Sequence, residues 1–190
     1  LLYETYGDQK RTIVPLEKIN PYAIKATIAI EDKHFYEHPG IRVQSILRAQ
    51  LSNLIGRRTG AGGASTLTQQ LIKNALVGNQ HSLTRKIKEA ILALKLEKKF
   101  TKNEILTMYL NEISYGSTNY GIEAAARSYF NKSALDLTLS ESAALAAMLP
   151  QPSYYLKNTA ALKERRNVVL RLMNEQGFIT QEQLDSAQKT

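Results

Sequence analysis

Residues 20–40 read Asn20-Pro21-Tyr22-Ala23-Ile24-Lys25-Ala26-Thr27-Ile28-Ala29-Ile30-Glu31-Asp32-Lys33-His34-Phe35-Tyr36-Glu37-His38-Pro39-Gly40. Asn20 is placed to cap a helix, and Pro21 suits the first helical position, where a missing N–H is harmless. Ile24 and Ile28 carry the helical period to about Glu31. The apolar run from Ala26 to Ile30 then delivers two acids, Glu31 and Asp32, into a loop rich in aromatics and histidine. A carboxylate at the end of an apolar helix loses part of its water, which favours proton uptake and suits a general base. The same residues also fit a plainer reading, with Glu31 and Asp32 as surface acids and His38 capping backbone. His34 and His38 are four apart, as zinc ligands on a helix can be. Pro39-Gly40 argues for a loop there instead, and the helix-borne H-E-x-x-H pattern is absent.

Helical periodicity continues outward in both directions. Residues 1–16 read as extended and irregular, with Thr12-Ile13-Val14 a short strand. Val43, Ile46, Leu47, Leu51, Leu54 and Ile55 predict a second helix, followed by a flexible loop from Gly56 to Gly63. Thr66 with Gln69, Thr101 with Glu104, Thr138 with Glu141 and Thr180 with Gln183 have capping spacing, and each precedes an apolar-periodic run. Gly78 is expected to stop the helix that begins at Leu67. Ile87, Ala90, Ile91 and Leu94 form the stripe of another. Pro150-Gln151-Pro152-Ser153 reads as a loop, and a basic helix marked by Leu162, Val169, Leu172 and Met173 stops at Gly177. The prediction is an all-α, compact single domain over residues 1–190, with eight or nine short helices and almost no strand.

Composition agrees with that class. The chain has 190 residues, 43% hydrophobic and 22% charged, with ordinary globular balance. It has no cysteine, which excludes disulfides and cysteine-based metal or thiol chemistry and fits an oxidising compartment. No apolar run approaches the ~18 residues a membrane span needs. No signal peptide opens the chain. The abrupt start at Leu1-Leu2-Tyr3 reads as a piece of something longer, without its anchor. Lys and Arg number 25 against 17 Asp and Glu, a net charge of +8. That excess favours anionic partners, although a solvated basic surface would give the same count.

Two further segments could carry chemistry. Gly62-Gly63-Ala64-Ser65-Thr66-Leu67-Thr68-Gln69-Gln70-Leu71-Ile72-Lys73-Asn74 opens small residues and hydroxyls onto a helix N-terminus. It is not a P-loop, since Gly-Lys-Ser/Thr is missing and Lys73 comes too late. Gln69, Gln70, Lys73 and Asn74 make one side of that helix polar, as a cleft wall would be. Arg85, Lys86 and Glu89 follow; Arg85 and Glu89 are four apart and share a helix face. An exposed salt bridge would also explain that pair.

Taken together these segments resemble the peptidoglycan glycosyltransferase domain of class A penicillin-binding proteins, shared with the monofunctional peptidoglycan transglycosylases. The resemblance is carried by five motifs in order. They are Glu31-Asp32-x-x-Phe35-x-x-His38-x-Gly40; Gly63-Ala64-Ser65-Thr66-Leu67-Thr68-Gln69-Gln70-Leu71-x-Lys73-Asn74; and Arg85-Lys86-x-x-Glu89-Ala90, continuing to Leu96-Glu97 and Tyr109-Leu110-Asn111. The fourth is Tyr120-Gly121-Ile122-x-Ala124-Ala125-Ala126 with Tyr129-Phe130-x-Lys132, and the fifth Glu141-x-Ala143-x-Leu145-Ala146 with Pro150-x-Pro152-x-x-Tyr155. They span about residues 20–175. Ala64 stands where many members have glycine, and Ser114 where an aromatic is common. The only Ser-x-x-Lys, Ser186 to Lys189, has no Ser-Asp-Asn or Lys-Thr-Gly partner, so no transpeptidase is read here.

The resemblance implies a lysozyme-like helical fold and an inverting transfer. A lipid-linked glycan donor is joined to lipid II by a β-1,4 bond, with release of undecaprenyl pyrophosphate. It implies that Glu31 is the general base. Glu89 would support the donor side, near the leaving group or by holding basic residues and a divalent cation, Mg²⁺ or Mn²⁺. No organic cofactor is implied. Lys73, Arg85 and Lys86 match pyrophosphate-binding positions. Asp32, Phe35, His38, Ser65, Thr66, Gln70 and Asn74 match positions lining the cleft. The implied partners are lipid II, the growing lipid-linked glycan, the bacterial membrane surface and moenomycin-type inhibitors, with no nucleic acid. The implied location is the outer face of the cytoplasmic membrane, with the aliphatic surface around Ile41 to Ile55 docking on it.

Two rivals remain at this point. A lysozyme-like glycan hydrolase would also use carboxylates, but it has no need of a pyrophosphate site in Lys73, Arg85 and Lys86. A basic helical nucleic-acid module would gather Lys and Arg on one helix, whereas here they are spread and interrupted by Glu89 and Glu97.

Overall fold

The Asn20 side chain accepts a hydrogen bond from the Tyr22 N–H (2.9 Å), and α1 runs Pro21–Glu31 behind it. This is a computed structural model, and it describes residues 10–42, 65–77 and 83–189. The helix expected from Val43 to Ile55, the membrane-docking surface expected around Ile41 to Ile55 apart from its first two residues, the Gly56–Gly63 loop and Gly78 lie outside the described residues. Among those residues there are nine α-helices: α1, α2 (Leu67–Ile72), α3 (Leu83–Lys99), α4 (Lys102–Glu112), α5 (Ile122–Phe130), α6 (Leu139–Met148), α7 (Pro152–Lys157), α8 (Thr159–Glu175) and α9 (Gln181–Lys189). The class is all-α, as the periodicity predicts. The chain divides into two compact units, one of Leu1–Lys33 with Leu110–Thr190, the other of His34–Tyr109.

In the first unit, α1 is buried along Ala23, Ala26, Thr27, Ile28 and Ala29. Small residues let it lie close to α6 and α8, where Ala143, Ala146, Ala147, Val169, Leu170 and Met173 close the core. Ile179, Leu184 and Ala187 complete it from α9 and the turn before. Arg166, buried in α8, donates to Ser140 Oγ (3.0 Å) and the Gln188 carbonyl (3.2 Å), so its charge is spread over neutral acceptors. The predicted caps form. Thr138 and Glu141 bond each other's backbone N–H groups, as do Thr180 and Gln183.

Three local expectations are corrected. The strand falls earlier than Thr12–Val14: β1 (Lys10–Arg11) pairs in parallel with β2 (Asn119–Tyr120). Val14 is instead bonded by one side chain, its N–H donating to Asn111 Oδ1 (2.9 Å) while Asn111 Nδ2 donates to its carbonyl (2.8 Å). Pro152 and Ser153 are not loop but the first turn of α7, because proline's fixed φ suits that position. The helix from Leu67 does not continue evenly through Ala75; Lys73–Val77 widens into a π-helical turn.

Gly121, which precedes α5, has φ +81° and ψ 154°, a region open essentially to glycine alone. A Cβ there would sit 2.7 Å from the Asn111 carbonyl oxygen. Gly121→Ala is therefore expected to destabilise the protein by about 2 kcal/mol or more, read as a shifted urea midpoint at unchanged slope. A midpoint within error of wild type would refute this.

Candidate active site

In the second unit, α3 presents Arg85, Lys86 and Glu89 on one face. Glu89 is completely buried. Burying a lone carboxylate costs several kcal/mol, so it must be paired. Arg85 Nη1 donates to one of its oxygens, and Lys86 Nζ donates to the other (2.9 Å). Lys86 also donates to Ser65 Oγ (2.6 Å), just before α2. The structure thus joins Ser65, Arg85, Lys86 and Glu89, four predicted site residues, into one cluster. Two cations against one carboxylate leave it a net charge of +1, suited to an anion.

Thr66 is the N-cap of α2, and the predicted capping box with Gln69 forms. Its hydroxyl also donates to the Gly40 carbonyl (2.6 Å), so Thr66 is occupied in holding the chain. Gln70 Oε1 accepts from the Tyr109 hydroxyl (3.1 Å). Lys73, half-buried, begins the π-helical turn, and Asn74 beside it is exposed.

The segment after Asp32 is a loop, as Pro39-Gly40 predicts. Two residues expected to line a cleft, Phe35 and His38, are buried within this unit. Phe35 is fully buried, with Lys102 Nζ 4.6 Å from its ring centre, and anchors the loop. His38 is also buried, and its Nδ1 accepts the Gly40 N–H (3.1 Å), the backbone cap that the plainer reading foresaw. His34 Nδ1 meets Glu37 Oε2 (2.7 Å).

Sequence reasoning missed the support beneath this loop. Glu97 Oε1 accepts from Thr68 Oγ1 (2.5 Å) and Lys102 Nζ (2.8 Å), and the same ammonium donates to the His38 carbonyl (2.6 Å). The links span 29 and 64 residues, so no local pattern announces them. Gly40, at φ +93°, packs where a Cβ would come 2.7 Å from Glu97 Cγ.

Glu31 and Asp32 belong to the first unit. Glu31 is the last residue of α1 and half-buried; Asp32 is buried, its N–H donating to the Ile28 carbonyl (3.0 Å). Tyr115 is fully buried. Burial pushes its hydroxyl far above the usual tyrosine range, and the Glu31 carboxylate's charge pushes it further.

The donor set does not fit a divalent cation resident at Glu89. Both carboxylate oxygens already take cationic donors, and among the described residues no three His, Asp or Glu side chains gather to hold a metal.

The sequence model of the family described as Transglycosylase matches residues 1–174, running through both units. Penicillin-binding protein 1A of Aquifex aeolicus is 45% identical over 188 residues, covering 98% of this chain and 26% of the relative. Penicillin-binding protein 1A of Escherichia coli K12 is 44% identical over 186 residues, covering 97% and 22%. The crystal structure of penicillin-binding protein 1A from Haemophilus influenzae aligns with a TM-score of 0.57 at 28% identity, covering 96% of this chain and 18% of that one. The chain therefore spans about a quarter of the length of these curated relatives. With the family match over nearly its whole length, this chain belongs to the transglycosylase family, the peptidoglycan glycosyltransferases.

Proposed function

We propose that this chain polymerises lipid II, transferring a lipid-linked glycan to the 4-hydroxyl of the acceptor with inversion at the anomeric carbon. Glu31 takes the hydroxyl proton as that oxygen attacks. The new β-1,4 bond forms while the anomeric carbon–oxygen bond breaks, and undecaprenyl pyrophosphate leaves with the electron pair. Charge grows on the leaving group, and fixed cations there lower the barrier. Lys73, Arg85 and Lys86 supply them. A divalent cation enters as the pyrophosphate's own counter-ion, so no step runs through a protein-bound metal. The acceptor's lipid places the work at the outer face of the cytoplasmic membrane. Among the described residues no helix is long and apolar enough to cross it.

The single observation that carries this reading is Glu89 spending both oxygens on Arg85 and Lys86. Such a carboxylate holds cations for an anionic group, which a hydrolase of neutral glycan does not need. The decisive assay is polymerisation of lipid II by the purified chain in detergent with Mg²⁺, resolved on a gel. A ladder of glycan products supports the reading; shortening of preformed glycan without a ladder would restore the hydrolase.

Lys73→Ala is expected to weaken donor use by about 10-fold or more in kcat/KM at unchanged melting temperature, because a cation is lost where charge develops. A variant that unfolds would make Lys73 structural instead.

A further inference from the structure

Ser65-Thr66-Leu67-Thr68 carries three hydroxyls, and each is spent on a different partner. Ser65 Oγ accepts from Lys86 Nζ (2.6 Å), Thr66 Oγ1 donates to the Gly40 carbonyl (2.6 Å), and Thr68 Oγ1 donates to Glu97 Oε1 (2.5 Å). Two of the three partners belong to α3. Glu89, Ala93 and Glu97 stand four residues apart on that helix, so they form one stripe along it. The stripe is buried: Glu89 and Ala93 have no exposure, and the Glu97 side chain is 8% exposed. Each of its carboxylates takes a lysine and reaches the start of α2. Glu89 takes Lys86, which holds Ser65; Glu97 takes Lys102 and holds Thr68 directly. The loop lies on the same stripe, since a Cβ on Gly40 would come 3.1 Å from the Ala93 carbonyl oxygen. Burying a second ion pair is costly, and apolar side chains of similar size would pack as well.

We propose that Glu97 is a positioning residue for the leaving-group site: through Thr68 it sets the first turn of α2, and so the place at which Ser65 holds Lys86. The inference rests on Lys86 meeting the pyrophosphate, as proposed above. The Lys86 side chain is 44% exposed, and a long exposed lysine has many rotamers to lose. Glu89 restrains its ammonium from within α3, and Ser65 restrains it from across the site. A fixed cation lowers the barrier only where the charge develops, so its place counts as much as its presence. Lys102 neutralises Glu97 and donates to the His38 carbonyl with the same ammonium, so α2 and the loop share one anchor.

The test pairs Thr68→Val with Thr68→Ser. Valine keeps the shape of a fully buried side chain and removes its hydroxyl; serine keeps the hydroxyl. Thr68→Val should lower kcat in lipid II polymerisation by about 10- to 100-fold, the scale of a small misplacement at a reacting centre. Its KM should stay within about threefold of wild type, and Thr68→Ser should restore kcat. The Lys86 ammonium gives a readout free of the reaction. Its NMR signal in ¹⁵N-lysine-labelled protein without substrate, identified by its loss in Lys86→Arg, should shift in Thr68→Val and return in Thr68→Ser. A Thr68→Val protein with a lower melting temperature but wild-type kcat and an unmoved Lys86 signal overturns the proposal. So does one that cannot fold while Thr68→Ser folds, which would make the hydroxyl structural. A wild type that makes no glycan removes the reaction itself, whereas a Lys86 signal that shifts still shows Glu97 setting that side chain. If the wild type polymerises and Thr68→Val matches it in kcat, only the role of Glu97 falls.

Discussion

Glu31→Gln is expected to lower lipid II polymerisation by about 10²–10⁴-fold, the usual worth of a general base, at an unchanged melting temperature. The amide keeps the shape of the side chain but cannot take a proton from the acceptor hydroxyl. Glu31 ends α1 and is only half-buried, while the packing of that helix is carried by Ala23, Ala26, Ile28 and Ala29. The substitution therefore removes chemistry and leaves the core alone. Glycan ladders from matched amounts of wild type and variant are the measurement. Activity within about tenfold of wild type would fall short of that worth, and the base would have to be sought elsewhere.

Arg85→Ala should act on both stability and turnover. It takes one of two cations from a carboxylate with no exposure to solvent, and an uncompensated buried charge costs about 3–5 kcal/mol. Lys86 remains on the other oxygen, so a loss near the lower end is expected. The double variant Arg85→Ala/Glu89→Gln removes the stranded charge and should recover most of the stability. It should not recover activity, because the cation that met the leaving group is still gone. A double-mutant cycle in denaturant, run beside the polymerisation assay, separates the two effects. Recovery of both would reduce Arg85 to a partner of Glu89. Recovery of neither would mean that the pair holds the fold by shape and not by charge.

What could be read from the sequence follows from the range of each interaction. The caps at Asn20, Thr66, Thr101, Thr138 and Thr180 are legible because cap and partner are two or three residues apart. Arg85 and Glu89 are legible for the same reason, being one helical turn apart. The link from Lys86 to Ser65 crosses 21 residues, and the loop support through Glu97 and Lys102 reaches further, so neither leaves a periodic trace. The burial of Phe35 beside Lys102 is not legible, because an aromatic in a polar loop reads the same whether it is exposed or packed beneath a distant lysine. The strand's position leaves no local trace, because Lys10–Arg11 takes its pairing from Asn119–Tyr120, far along the chain. Pro152 reads as loop although it opens α7, because proline both ends helices and suits their first turn.

The first unit is assembled from two stretches of chain, with His34–Tyr109 between them. On a ribosome this sets an order of events. Ala26 emerges more than a hundred residues before Ala143 and Val169, its companions in the core. At roughly 5–20 residues per second, α1 waits from several seconds to more than twenty for its partners in that core. The intervening unit is contiguous and is complete by then. Nascent chains arrested before α6 should thus offer an uncovered apolar helix to chaperones, and those arrested after α8 should not. The helix that carries the proposed base is synthesised early and buried late.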